Sequence, residues 1–426
     1  MRKQKYWYKL DNAGKVFPAV SKDSRSNIFR ISFYLDEAVD PIILEQAVNE
    51  TLPRFETFAV QIRTGLFWQY LGANTKIAKV YKETPFLCEH FKTYTNRNFL
   101  FKVFYLDNKI SLETFHGISD GLGALQFLKS ILFKYFKLLG FQMDHQNKIL
   151  GELPYSKKES EDNFVSNYDK DNKLALREEK AYHIKSESFS NHFLLAVKLK
   201  FNTKELLTFV KTTYQATLTQ FITALVAYSI YLESIDFVGH KKPIKVFVPV
   251  NLRPYFNSKT LRNFSLYLKC TYPAEKKSWT FEEILEVTKK DFVDQLDKDK
   301  LNSRISALVG LEKNLLIRML PFVLKNIAFK IGYNMLGESI NTCSLSNIGL
   351  CDLPDDMKSK VIDMDFLSFT TGLSITTTSI NDVTNIIFTT PHKDLSIINQ
   401  FISFLTNQGV HITIDTNYKE AYDEIL

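Results

Sequence analysis

Cysteine is scarce in this chain: Cys88, Cys270, Cys343 and Cys351 are the only four in 426 residues, and no two form a C-x-x-C pair. Such dispersal argues against a disulfide scaffold or a structural zinc site and suits a reducing compartment. No uninterrupted apolar run approaches the ~20 residues of a membrane-spanning helix. The start, Met1-Arg2-Lys3-Gln4-Lys5, is charged and lacks the apolar core of a signal peptide. A cytoplasmic location is the expectation. There is no dense Lys/Arg arm, zinc-finger spacing or RNA-binding signature, so nucleic acid is not an expected partner.

What is present describes a packed protein. Hydrophobic residues make up 45% and charged residues 24%, which is globular composition, and 426 residues suffice for two lobes. The formal charge of +7 is mild. It is compatible with polyanionic small molecules or acidic lipid surfaces, and equally with a solvated basic surface that has no partner. The 35 phenylalanines can build large cores or apolar channels.

Residues 28–36 read as a strand, followed by a helix opened by Pro41, a residue well tolerated in a first turn. Phe99 to Leu106 and Lys109 to His116, joined at Asp107-Asn108, read as an antiparallel hairpin. A helix from Leu122 to Leu139 follows. Polarity then dominates residues 151–190, with Lys157-Lys158-Glu159 and Glu178-Glu179-Lys180. This connector divides the chain into lobes at 1–175 and 176–426. Beyond it the opening order returns: a strand from His192 to Lys200 and a helix from Thr203, as earlier from Ile28 and from Pro41. A buried helix is expected over Leu218 to Leu232, a strand over Ile244 to Val250, and a Thr-rich strand pair over Phe366 to Thr378 and Asn385 to Thr390.

His116 stands out by its surroundings. Ile110, Leu112, Thr114 and His116 alternate with strand periodicity, Gly117 ends the alternation, and Asp120 and Gly121 open the next helix. An imidazole is thus displayed where a strand runs into a tight loop, a common place for catalytic groups. The pattern is H-x-x-x-D-G. It resembles that of the CoA-dependent acyltransferase superfamily, which includes chloramphenicol acetyltransferase, condensation domains and alcohol O-acetyltransferases. Two later landmarks keep the superfamily's order: Asn251-Leu252-Arg253, similar to its N-x-R strand end, and Ser344 to Gly349, similar to its S-N-x-G strand. The opening Leu10 to Pro18 resembles the start of bacterial alcohol acetyltransferase-like proteins. Phe115 stands where many members carry a second His, and there is no D-F-G-W-G motif, so the plant branch is not implied.

The resemblance implies an α/β fold of two lobes, each a mixed sheet with flanking helices, and an active-site tunnel between them. It implies an acyl-CoA-dependent O-acyltransferase, with alcohol O-acetylation as the nearest activity. Acyl-CoA serves as co-substrate, and no permanently bound cofactor or metal is implied. The partners are a small hydroxyl acceptor and the thioester, and a monomer suffices. His116 is the general base. Asp120 turns away from the ring and pairs with Arg253, and it also caps the following helix. Gly121 permits a close approach or an unusual φ, and Ser346 is the candidate oxyanion donor. Nothing in the sequence marks a site for the CoA phosphates.

Other readings stay open. The donor could be a carrier-protein thioester, or the acceptor an amine, as in condensation domains. Gly117 to Gly121 also fits G-x-S-x-G, the nucleophile elbow of a serine esterase, with Ser119 as nucleophile and His392 or His411 completing a triad. A non-catalytic member of the fold is the third. Finally, Leu315 to Leu336 is strongly apolar, with Arg318, Lys325 and Lys330 as its only charges and Pro321 to kink or restart a helix. A helix packed at a lobe junction is the favoured reading; peripheral contact with a membrane is the alternative.

Overall fold

The computed structural model describes residues 6–419 except 91, 171–178, 235–241, 277, 314–318, 337 and 370. The expected lobe boundary at 175/176 and the segment from Leu315 to Arg318 lie outside the described residues.

The first half runs β1 (Trp7–Lys9), α1 (Asn12–Val20), β2 (Ile28–Leu35), α2 (Pro41–Thr51), β3 (Val60–Thr64), β4 (Gln69–Ala73), β5 (Val80–Lys82), β6 (Phe101–Leu106), β7 (Lys109–Phe115) and α3 (Gly121–Leu138). The second runs β8 (Leu195–Asn202), α4 (Thr203–Tyr214), α5 (Leu218–Ser234), β9 (Ile244–Asn251), β10 (Ser265–Tyr272), α6 (Phe281–Gln295), α7 (Lys298–Lys313) and α8 (Phe322–Leu336). It ends with β11 (Cys343–Leu350), β12 (Val361–Ser368), β13 (Leu373–Ile380), β14 (Val383–Thr390), α9 (Ser396–Asn407) and β15 (Thr413–Thr416).

Local chemistry accounts for the element ends. Asp40 caps α2, accepting from the Ile42 and Ile43 N–H groups, with Pro41 in the first turn. Asp107, at φ 49°, turns the β6–β7 hairpin. Thr280 and Glu283 form a reciprocal capping box on α6.

A five-stranded sheet has the order β12-β2-β7-β6-β5, and a seven-stranded sheet the order β10-β9-β11-β13-β14-β8-β15. Both are mixed: β5 runs parallel to β6, and β11 runs parallel to β9 and β13, while the other pairs are antiparallel. Each sheet packs helices over its own apolar core. The first is centred on Phe58, Phe101 and Phe127, the second on Phe221, Phe281 and Phe401. The two-lobed α/β architecture expected from the sequence is present.

The expected strand from Phe366 to Thr378 is instead two strands in different sheets. A bend at Thr371-Gly372 separates them. β12 crosses back to pair with β2 in the first sheet, and β13 enters the second. The crossing is pinned by buried charges: Lys198 of β8 reaches Asp363 at 2.7 Å and Asp365 at 2.6 Å, both on β12. The chain thereby brings the end of β7, the start of α3 and one face of β11 together between the sheets.

Candidate active site

β7 is a central strand, antiparallel to both β2 and β6. Past its end at Phe115 the backbone turns sharply. The His116 N–H donates to the Asn27 carbonyl at 2.9 Å, which ties the loop to the start of β2. The imidazole lies between two aromatic rings, with centroids 5.3 Å from Phe17 and 4.9 Å from Phe29. Phe366 of β12 packs against Phe29 in turn.

The ring's tautomer follows from its neighbours. The side-chain amide of Asn263 donates to the His116 carbonyl at 2.9 Å and to the Asp11 carboxylate at 3.2 and 3.3 Å. Both partners only accept, so this side is the NH2 and the Asn263 Oδ1 faces the ring. Oδ1 is 3.2 Å from His116 Nδ1. Nδ1 therefore carries the proton and donates, and Nε2 is left with its lone pair and no hydrogen bond to the described residues. Burial pushes the imidazole below its ordinary value of 6.5. The bond to Asn263, the Asp120 charge and the ring's own backbone carbonyl pull upward without reversing this. The group is a neutral base at neutral pH.

Asn263 and Asp11 carry no mark in the sequence. Asp11 lies in the opening stretch and caps α1, accepting from the Gly14 N–H at 2.7 Å. The D-x-x-G spacing signals a helix start but not a partner 252 positions away. Asn263 sits in the loop before β10, held over a small apolar cluster of Phe164, Leu252, Phe264 and Leu301.

Asp120 and Arg253 meet as expected. Two guanidinium nitrogens donate to the two carboxylate oxygens, each at 2.9 Å. Asp120 also accepts from the Gly123 N–H, capping α3, and from the Phe264 N–H, both at 3.1 Å. Arg253 spends its other donors on the Thr260 and Arg262 carbonyls and the Asn251 side chain. The pair clamps the His116 loop to the loop that carries Asn263.

Gly121 begins α3, but its φ lies outside the left-handed region, and a Cβ there would meet Phe366 and Ile348 at an ordinary 3.4–3.5 Å. The unusual φ and the tight approach expected of it are absent. Gly123 has the tight approach instead: a Cβ would fall 2.0 Å from the Leu261 carbonyl and 2.2 Å from Ser119 Oγ. The pattern drew attention to the glycine next to Asp120, whereas the crowding comes from a loop more than 130 residues away.

Ser346 lies on β11 opposite Thr376 of β13. Leu345 points into the second core, so Ser344, Ser346 and Ile348 turn toward the first sheet. On that side Ile348 meets the start of α3, and the Thr376 hydroxyl donates to the Phe366 carbonyl. Ser344 is bonded to Ser374 at 3.1 Å; the Ser346 hydroxyl makes no bond to the described residues. Gly349, at φ 80°, follows a bulge in which its N–H bonds the Asn347 side chain.

The esterase constellation does not assemble. Ser119 is fully buried and donates to the Leu261 carbonyl at 2.6 Å. His392 neighbours Ser188, and His411 is exposed. β7 is moreover an antiparallel hairpin strand, unlike the strand before a nucleophile elbow. Two open clefts, of about 540 Å³ beside Tyr168, Tyr255 and Lys298 and about 520 Å³ beside Pro41, Ile42 and Tyr105, do not include His116.

No family profile matches the chain, and no curated protein matches it in sequence. Solved structures do match in shape. The Fusarium graminearum protein TRI101, complexed with coenzyme A and deoxynivalenol, aligns with a TM-score of 0.62 at 12% identity, over 97% of this chain and 100% of that one. TRI3 trichothecene 15-O-acetyltransferase from Fusarium sporotrichioides aligns at 0.58 and 11%, over 94% of each. The first condensation domain of the CDA synthetase aligns at 0.57 and 14%, over 96% and 99%. The chain has the two-lobed α/β fold of the chloramphenicol-acetyltransferase and condensation-domain type, the fold of CoA-dependent acyltransferases.

Proposed function

We propose that this protein is an acyl-CoA-dependent O-acyltransferase with His116 as its general base. The observation that carries the reading is the tether from Asp11 through Asn263 to Nδ1, which leaves Nε2 of a neutral imidazole free to take a proton. In this reading Nε2 removes the acceptor's hydroxyl proton as the oxygen attacks the thioester carbonyl. The tetrahedral oxyanion takes a hydrogen bond from Ser346 Oγ. Collapse breaks the C–S bond, and the imidazolium returns its proton to the leaving thiolate, so thioester and alcohol become ester and thiol. Asp120 and Arg253 position the loop and touch no reacting atom, and Gly121 leaves room beneath Phe366 and Ile348. Residues 1–175 and 176–426 form the two lobes, with β12 lent back to the first. Donor and acceptor reach His116 along a passage between them.

The fold is shared with a protein solved with coenzyme A, with an O-acetyltransferase and with a condensation domain, which supports a thioester donor; acyl-CoA is the donor in this reading, and a carrier-protein thioester is the alternative the test addresses. The aromatic walls Phe17, Phe29 and Phe366 favour an apolar acceptor or acyl chain, at roughly 0.8 kcal/mol per buried methylene. Among the described residues no helix is long and apolar enough to cross a membrane. The four unpaired, buried thiols suit the cytoplasm.

The test is thiol release from acetyl- and longer acyl-CoA with a series of alcohols and amines. His116→Ala should lower turnover by about two to four orders of magnitude with the fold retained by circular dichroism, while Ser119→Ala stays active. Absence of turnover with every thioester, or equal activity of wild type and His116→Ala, would overturn the reading.

A further inference from the structure

The segment from 319 to 336 contains no Asp or Glu and two cations, Lys325 and Lys330. α8 is predominantly apolar, and its two faces meet different fates. Lys325 is buried: its amine donates to the Phe67 carbonyl at 3.1 Å and lies 3.7 Å over the Trp68 ring. The Phe322 N–H bonds the Leu66 carbonyl at 3.1 Å, and the Arg25 guanidinium stacks 4.8 Å from the Tyr333 ring. These bonds rivet the inner face to the β3–β4 hairpin and the segment after α1.

The outer face is left to solvent. Val323 is 69% exposed, Leu324 50%, Ile327 52% and Ile331 56%, an i, i+1, i+4, i+8 stripe. The hairpin tip beside it adds Leu66, 76% exposed, and Phe67, 45%. Isolated exposed apolar residues are ordinary, but a contiguous patch marks a binding surface. The helix expected to pack at a lobe junction is packed on its inner face and exposed on its outer one.

We propose that this face docks the protein on an anionic lipid surface. The charge around it supports that occupant. β3, β4, their hairpin and α8 contain no carboxylate. Lys9, Arg63 and Lys330 are exposed and make no ion pair with the described residues, and the chain as a whole is +7. β1, β4 and β3 form a three-stranded sheet in that order; on it Trp7 of β1, 61% exposed, meets Tyr70 of β4 edge-on at 6.2 Å, and exposed aromatics of this kind suit a membrane interface. A helix of 15 residues is too short to span a bilayer and suited to lying on one. A second copy seated face to face would bring the same unpaired cations together from both sides.

Flotation with vesicles tests this on the full chain. Wild type should rise with phosphatidylcholine/phosphatidylserine vesicles at low salt, rise less at high salt, and stay down with phosphatidylcholine alone. Leu324→Gln/Ile327→Gln should lower partitioning roughly tenfold or more, with the melting curve and thiol release from a water-soluble substrate pair unchanged. Leu66→Ser/Phe67→Ser, on an independent element, should do the same and guards against misfolding of the first variant. Failure of wild type to bind phosphatidylserine vesicles would overturn the proposal, as would undiminished binding by both folded variants. So would a lipid-free dimer that both variants dissolve, which would assign the face to a second copy.

Discussion

Asp120 and Asp11 are both buried, both cap a helix, and both accept from the loop that carries Asn263, yet they are compensated differently. Asp120 receives a bidentate guanidinium from Arg253 and two main-chain N–H groups. Asp11 receives a neutral amide from Asn263 and one main-chain N–H, with Arg262 Nε standing off at 3.7 Å. Burial pushes the Asp11 carboxyl up, against the pull of Arg262. The first arrangement is a stiff strut, geometrically specific because the fork matches the carboxylate. The second is an orienting chain that sets which nitrogen of the ring carries the proton. Removing the strut should cost stability first, and removing the chain should cost chemistry first.

The largest effect is expected at the strut. Arg253→Ala strands a buried carboxylate and should lower unfolding stability by about 3–5 kcal/mol, with activity falling alongside; a denaturant melt measures it. A loss below about 1 kcal/mol, the range of an exposed pair, would dissolve the contrast. Next is the junction the strut holds. Gly123→Ala drives a methyl into the Leu261 carbonyl and should cost about 1–3 kcal/mol or more, whereas Gly121→Ala should stay near wild type. Equal effects in thermal melts would mean the two loops are not packed as described.

The orienting chain gives a different signature. Asn263→Ala frees Nδ1 and should lower turnover about tenfold to a hundredfold, short of the worth of the base itself, with a melting shift well below that of Arg253→Ala. Asp11→Asn should follow it in direction. A fall in melting temperature matching that of Arg253→Ala, at unchanged turnover, would reverse the assignment of the two aspartates.

The smallest effect is in pH. The folded value of His116 is lowered by burial, so the unfolded chain binds the proton first as pH falls below 6.5. The neutral ring's contribution is fully present above that value and is lost as pH drops toward the folded one. Stability of wild type relative to His116→Gln should therefore decline across that window, by at most about 1.4 kcal/mol per pH unit. The rate should hold level through 6.5 and fall only at more acid pH. A rate profile breaking above 6.5 would mean the ring is not desolvated.

The sequence by itself determined what short-range chemistry encodes. Alternation from Ile110 to His116 specified the strand and the exit of the imidazole at its end. Asp40-Pro41 and Asp120 specified helix starts through bonds to N–H groups two or three residues on. The strand-then-helix order at Ile28 and again near Thr203 foretold two similar lobes. Partners set by long-range approach were less legible. Arg253 was reached through a family resemblance, while Asn263 and Asp11 lie 147 and 105 positions from His116 with no periodicity linking them. Only the tertiary structure moved the crowding from Gly121 to Gly123, split the Thr-rich run so that β12 joined the opposite sheet, and turned one face of α8 outward. In each case the deciding contact is made by a distant segment, and a local pattern of polar and apolar residues cannot say which segment will arrive.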